Sequence, residues 1–223
     1  MIAIDIETAK DDLETSQEGW YVSKRADKRL KDPAKIKANG ERVMESFPLS
    51  PLTGKIILIG IISDSNIGDM LKANTDAPGT FVLQIGLDGK TEKEMLETFW
   101  NIISTGMARG HRLVTFNGKK FDLPFIFARS LFTGVPKPNS LRTMDSFLNK
   151  YNTVAHVDVF VTVGEKGSQS EWANKLLPDE PLSSDGHLIP KWYTEGMYDE
   201  IISKNYLDLK QLFYLYKKME IWV

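Results

Sequence analysis

The sequence predicts an α/β domain, a central sheet flanked by helices, and three stretches carry that expectation. Met1 to Thr8 alternates Ile2, Ile4 and Ile6 with Ala3, Asp5 and Glu7, the period-two pattern of a strand. Lys55 to Ile62 is a short unbroken apolar run, as expected of a strand covered on both faces. Arg112-Leu113-Val114-Thr115-Phe116 passes through Asn117-Gly118 into a helical pattern at Phe125, Ile126, Ala128 and Leu131, a strand-to-helix join typical of α/β layers. With 223 residues, of which 42% are hydrophobic, the chain can bury a full core, most simply as one domain over 1–223.

The elements follow in order. After Thr8 the strand pattern breaks over a basic excursion at about residues 9–50. There Lys24, Arg25, Lys28, Arg29, Lys31, Lys35, Lys37 and Arg42 are only partly offset by Asp27, Asp32 and Glu41. Pro33 is placed to start a short helix that Asn39-Gly40 would end. The excursion would contact phosphates or stand as a solvated insertion. Ser50 to Gly54 reads as a turn before the second strand, 63–78 as loop, and Thr80 to Ile85 as a third strand closed by Asp88-Gly89. Thr91 with Glu94 forms a capping box for a helix that carries Met95, Phe99, Ile102 and Ile103 toward Gly106 or Gly110. His156 to Phe160 reads as a fifth strand and Asp185-Gly186 as a turn. A last helix, about Met197 to Glu220, has Ile201, Ile202, Leu209, Leu212 and Leu215 on its apolar side.

Composition narrows the chemistry. A net charge of −2 argues against a protein that coats nucleic acid, though not against one that grips an end through a local patch. No Cys is present, which excludes disulfides, thiol catalysis and thiolate metal sites. The three His residues are scattered, so a metal site would be built from oxygen, favouring Mg²⁺ or Mn²⁺. No apolar run is long enough to span a bilayer and no leader pattern is present, so the expectation is a cytoplasmic protein without membrane partners.

Carboxylates stand out. Asp5 and Glu7, two apart on a strand, share one face, where they repel or hold a cation. Asp122 follows a strand at a helix start, where α/β proteins gather ligands; an ordinary helix cap is the alternative. Asp208 lies between Leu207 and Leu209 in the last helix, either as a functional acid or paired with Lys204 or Gln211 at helical spacing.

Asp5-Ile6-Glu7-Thr8, Asn117-Gly118-Lys119-Lys120-Phe121-Asp122-Leu123-Pro124 and Asp208 resemble the three exonuclease motifs of the DEDD superfamily. Within it the likeness is greatest to the predicted 3′–5′ exonucleases related to the proofreading domain of family B DNA polymerases. Asp32-Pro33, Ser50 to Ile56, His156-Val157-Asp158-Val159, Asp185-Gly186 and the Ile201-to-Tyr216 helix match in the same order. The resemblance implies a ribonuclease H-like fold with a mixed sheet, and a two-metal 3′–5′ exonuclease acting on single-stranded DNA to release nucleoside 5′-monophosphates. Asp5, Glu7, Asp122 and Asp208 would be the ligands of two Mg²⁺ or Mn²⁺ ions ~4 Å apart. The same chemistry on RNA, and a nuclease-derived binding protein without turnover, stay open.

One position departs from the superfamily, which places a Tyr four residues, or a His five, before the last Asp. Here those positions hold Lys204 and Ser203. Lys204 would contact the phosphate or orient water, with an ammonium that nearby metals would depress in pKa. Alternatively a register shift would bring in Tyr206, or turnover would be impaired. Further candidates are Thr8, Asn117 and Phe121 as substrate contacts, Lys119 and Lys120 on the phosphate backbone, and Trp172, Trp192 and Tyr193 lining a strand channel from loops. Phe125 reads as core, Asp158 as structural, and His156 as a satisfied, partly buried histidine.

Overall fold

The computed structural model describes residues 1–64, 80–139, 144–184 and 186–222. Most of the expected 63–78 loop, and Asp185 of the expected turn, lie outside the described residues. Five described strands form one mixed sheet: β1 (Ile2–Lys10), β2 (Gly54–Ser63), β3 (Phe81–Gly86), β4 (Leu113–Thr115) and β5 (His156–Asp158), in the order β3-β2-β1-β4-β5. β1 pairs antiparallel with β2 and parallel with β4; β2–β3 is antiparallel and β4–β5 parallel. The acidic strand is therefore the middle of the sheet, not an edge.

Its alternation sorts side chains between two layers. Ile2, Ile4 and Ile6 pack with Leu96, Phe99, Phe125 and Ile126 from helices α3 (Glu92–Ala108) and α4 (Asp122–Thr133). The opposite face carries Ala3, which joins Leu209, Leu212 and Phe213 of the last helix, α9 (Tyr198–Met219). Ala3, Asp5 and Glu7 share that face, so the same helix covers the acids. The numbering of the remaining helices runs α1 (Thr15–Arg25), α2 (Pro33–Glu45), α5 (Met144–Leu148), α6 (Val159–Thr162), α7 (Gln169–Leu176) and α8 (Ile189–Thr194).

The structure corrects several element boundaries. The basic excursion is a helical hairpin of α1 and α2, and α2 continues through Asn39-Gly40 to Glu45. Asn39 accepts the Asp27 amide at 2.8 Å, and a Cβ on Gly40 would lie 3.6 Å from Val22, so both sit where the two helices meet. The expected stop is thus a packing contact. α1 itself was not anticipated; Glu14 and Gln17 close a capping box at its start. The fifth strand ends at Asp158, whose carboxylate accepts the Phe160 amide and starts the short α6. Trp172 lies in α7 and Trp192 and Tyr193 in α8, in helices rather than loops.

Gly60 sets the depth of α9. It lies opposite Asp5 in the β1–β2 ladder, and a Cβ there would fall 2.0 Å from Asn205 Oδ1 and 2.6 Å from Leu209 Cδ1. Only a missing side chain lets the helix approach the acidic face of β1 so closely.

Candidate active site

Asp5, Glu7 and Asp208 each offer a carboxylate oxygen within 4.8 Å of the others. Strand β1 supplies the first two, and α9 brings the third across the sheet from 200 residues later. Asp122 lies alongside, outside that triad. It is the first residue of α4, not its cap, because Lys120 and Phe121 donate to the Asn117 carbonyl and wind the chain into the helix earlier. Its Oδ1 accepts the Ile6 amide at 3.3 Å, which holds it against β1 between the other two strand acids. A register shift in the β1–β2 ladder between Glu7 and Thr8 bends the strand where the acids end, with Thr8 buried.

Burial and mutual repulsion dominate the electrostatics. Asp5 is held well above the usual carboxylate range by desolvation, then by Glu7, Asp208 and Asp122, against the pull of Lys204. Burial pushes Glu7 up to about 7 although Lys204 opposes it. Burial likewise raises Asp122 to about 7, against the amides of Asp122 and Ile6. These acids lack enough positive charge around them.

Lys204 supplies part of it. Its Nζ donates to Glu7 Oε1 at 3.0 Å and to Asp208 Oδ2 at 2.5 Å, with 8% of the side chain exposed. Desolvation lowers its pKa, but Glu7, Asp5 and Asp208 outweigh that and raise it. Tyr206 packs instead against the core cluster containing Leu209 and Phe213, so no register shift brings it to the acids.

Asn205 is the residue that the sequence reading missed. It is fully buried, and its Nδ2 donates to Asp5 Oδ2 at 2.8 Å. Gln84 of β3 fixes its orientation: Gln84 Nε2 donates to the Ile202 carbonyl at 2.8 Å and to Asn205 Oδ1 at 3.0 Å, leaving the Asn205 amino group turned to Asp5. The available signal was an amide four residues from both Ile201 and Leu209, on the apolar stripe of the last helix.

The other candidates divide. Asn117 takes a left-handed conformation (φ 63°), and its Oδ1 is buried without a hydrogen bond. Phe121 is half-buried against the core, its ring 5.7 Å from the buried Phe125. Lys119 does not reach outward: it is buried, and its Nζ donates to the carbonyls of Asn149 and Asn152 at 2.8 and 3.0 Å, stitching down that turn. Lys120 is exposed and pairs with Glu165 at 2.5 Å. Trp172 donates to the Lys166 carbonyl and packs by Leu215, while Trp192 and Tyr193 pack by Ile57 and Ile189.

Asp158 and His156 form a separate structural knot. Asp158 accepts the amides of Asn117, Lys119 and Phe160 at 2.8, 2.9 and 3.1 Å. His156 is fully buried rather than partly so, with Nδ1 2.7 Å from the Phe147 carbonyl and Nε2 2.7 Å from Thr115 Oγ1. Since a carbonyl only accepts, Nδ1 carries the proton and the Thr115 hydroxyl donates to Nε2. Desolvation lowers this His to about 3, so it stays neutral. The Thr115 oxygen in turn accepts the Gly118 amide at 3.2 Å, where a Cβ on Gly118 would come 2.4 Å from Thr115 Cβ.

Among the described residues no helix is long and apolar enough to cross a membrane. No curated protein matches the chain. Among solved structures, the family B DNA polymerase from the hyperthermophilic archaeon Pyrobaculum calidifontis matches 98% of this chain with a TM-score of 0.58 at 13% identity. This chain spans 24% of the polymerase's length, and at that identity the likeness is one of fold, a ribonuclease H-like exonuclease fold. A family model described as a predicted 3′–5′ exonuclease related to the exonuclease domain of PolB matches residues 62–222. That match begins at Ile62, near the end of β2, and takes in the Asn117–Asp122 segment and the whole of α9; with it the chain belongs to the predicted 3′–5′ exonucleases related to the PolB exonuclease domain.

Proposed function

We propose that the chain hydrolyses single-stranded DNA from its 3′ end, releasing nucleoside 5′-monophosphates, with two Mg²⁺ or Mn²⁺ ions held by Asp5, Glu7, Asp122 and Asp208. The observation that carries this reading is the convergence of Asp5, Glu7 and Asp208 within 4.8 Å on the covered face of β1. The donor set fits hard divalent cations: it is all oxygen, and at Asp5, Glu7 and Asp122 burial, with repulsion between neighbouring acids added to it, raises the pKa, a cost that added positive charge would relieve. Such ions, when bound, supply the charge that activates water and stabilises the leaving oxygen in phosphodiester hydrolysis.

The chain's own residues prepare that geometry. The Asn205–Gln84–Ile202 chain of hydrogen bonds holds the Asp5 carboxylate, and the Ile6 amide holds Asp122. Lys204 keeps Glu7 and Asp208 apart at hydrogen-bond distance in the metal-free protein. During turnover its flexible ammonium is the group that neutralises the phosphate or orients water in place of the superfamily's Tyr or His.

One observation favours a second reading, a strand-binding protein without turnover: the same ammonium already satisfies two of the four acids. Single-turnover digestion of 5′-labelled single-stranded DNA and RNA, with Mn²⁺, Mg²⁺ or EDTA, separates the two. The expected outcome is a metal-dependent ladder shortening from the 3′ end of DNA, lost in Asp122→Ala. A folded protein that retains strands but never shortens them establishes the second reading instead.

A further inference from the structure

The hairpin of α1 and α2 leaves the end of the strand that carries Asp5 and Glu7, and it lies before the residues matched by the family model. Neither helix contains a buried residue. Its root is fixed to the body: Arg129 pairs with Asp11 at 2.8 Å, Lys55 with Asp12 at 2.6 Å, and Arg25 donates to Ser50 Oγ at 3.1 Å. Its far end is different. Between residues 26 and 37 the sequence holds five cations and two acids, a net +3 in a chain whose total is −2.

Both acids are spent on the hairpin itself. Asp27 chelates Arg29, and Asp32 caps α2 by accepting the Ala34 and Lys35 amides. Lys28, Lys31, Lys35 and Lys37 are exposed and make no ion pair among the described residues. Back along α1 Trp20 is 55% exposed, with Tyr21 edge-on at 5.0 Å and the Lys24 ammonium 5.5 Å from its ring centre. A helical pair that buries nothing, concentrates positive charge against the sign of the whole molecule and exposes an indole meets the chemistry of a single nucleic acid strand. The lysines suit the phosphates and the ring suits an unstacked base.

We propose that the tip of the α1–α2 hairpin is a second binding surface, for the phosphodiester backbone of the strand whose end enters the acidic site. The identity of that strand as substrate rests on the exonuclease reading; the surface does not. It adds affinity without sequence preference, since phosphate contacts carry no base information.

The test is fluorescence anisotropy of labelled oligo-dT in EDTA over a salt series, comparing the native protein with the triple variant Lys28→Glu, Lys31→Glu, Lys35→Glu. Circular dichroism and Tm should match, since the three side chains are exposed. The expected result is about a tenfold or greater loss of affinity, with the slope of log K against log salt shallower by about 2, as for three lost contacts to a single strand. Trp20→Ala should weaken binding while leaving that slope unchanged. Equal affinity and slope for native and triple variant overturn the proposal, as does a native protein that binds no strand. Because nothing is cleaved in EDTA, a protein that binds through the tip yet never shortens DNA with Mn²⁺ upholds the surface while removing the exonuclease reading.

Discussion

Asp158 and the cluster of Asp5, Glu7 and Asp208 gather at the same sheet and differ in what their oxygens face. Asp158, at the end of β5, spends its carboxylate on three backbone amides. Asp5, Glu7 and Asp208 face one another, with one ammonium and one side-chain amide among them. Amides are fixed dipoles that complete a turn, whereas carboxylates facing carboxylates accumulate charge that only a cation removes. Burial alone therefore does not mark a reactive acid: Asp158 is 2% exposed and Glu7 5%. The partners decide.

The largest effect should come from taking the cation out of the second group. Lys204→Met keeps the length of the side chain but leaves Glu7 and Asp208 buried without their partner, a loss on the order of 3 kcal/mol in EDTA. Added Mn²⁺ should recover most of it, and titration calorimetry should show tighter metal binding than in the native protein. A variant as stable as the native protein in EDTA would mean that the ammonium contributes nothing to the metal-free acids. Asp158→Asn should act the other way round. It replaces an acceptor of amides by a group with one accepting oxygen, costing about 1–3 kcal/mol, and Mn²⁺ should not restore it. Metal rescue of Asp158→Asn would break the distinction between the two groups.

Much of this was legible because local rules and tertiary structure agree. The alternation from Ile2 to Glu7 reads directly as a strand between unlike layers, since each face meets a different set of helices. α9 was readable along its length, and the i, i+4 spacing placed Lys204 beside Asp208. The Lys204 bond to Glu7, 197 residues away in sequence, follows only from how deeply α9 seats on Gly60, which no local pattern encodes. Asn205 was hidden by its place on an apolar stripe, and its reason, Gln84 on an edge strand, is equally distant. Lys119 misled because a lysine between Gly118 and Lys120 reads as an exposed loop, whereas its ammonium is drawn to carbonyls of the 149–152 turn. The hairpin misled at Asn39-Gly40, where residues that usually end a helix instead serve the contact between two helices.

The smallest effect is a difference in sign. Glu7 and Asp122 rise to about 7 on folding, and Asp5 rises too. Above the ordinary carboxylate range the folded protein thus binds more protons at these acids than the unfolded chain, so they remove stability as pH rises through their raised pKa values, Glu7 and Asp122 completing their share about one pH unit above 7. His156, lowered to about 3, does the opposite: the unfolded chain binds its proton first, so stability is lost as pH falls below about 6.5. With three acids against one imidazole, the acids should prevail, and Tm in EDTA should decline from pH 5 to pH 8. Glu7→Gln should reduce that decline by on the order of 1 kcal/mol, about 2–4 °C in Tm. Saturating Mn²⁺ should flatten it, because bound cations hold all the acids ionised. Asp158→Asn should lower Tm in EDTA and in Mn²⁺ alike. A native curve that rises steadily from pH 5 to pH 8 in EDTA would mean that His156, not the acid cluster, governs the pH response, and that the repulsion among Asp5, Glu7 and Asp208 is already relieved by Lys204 alone.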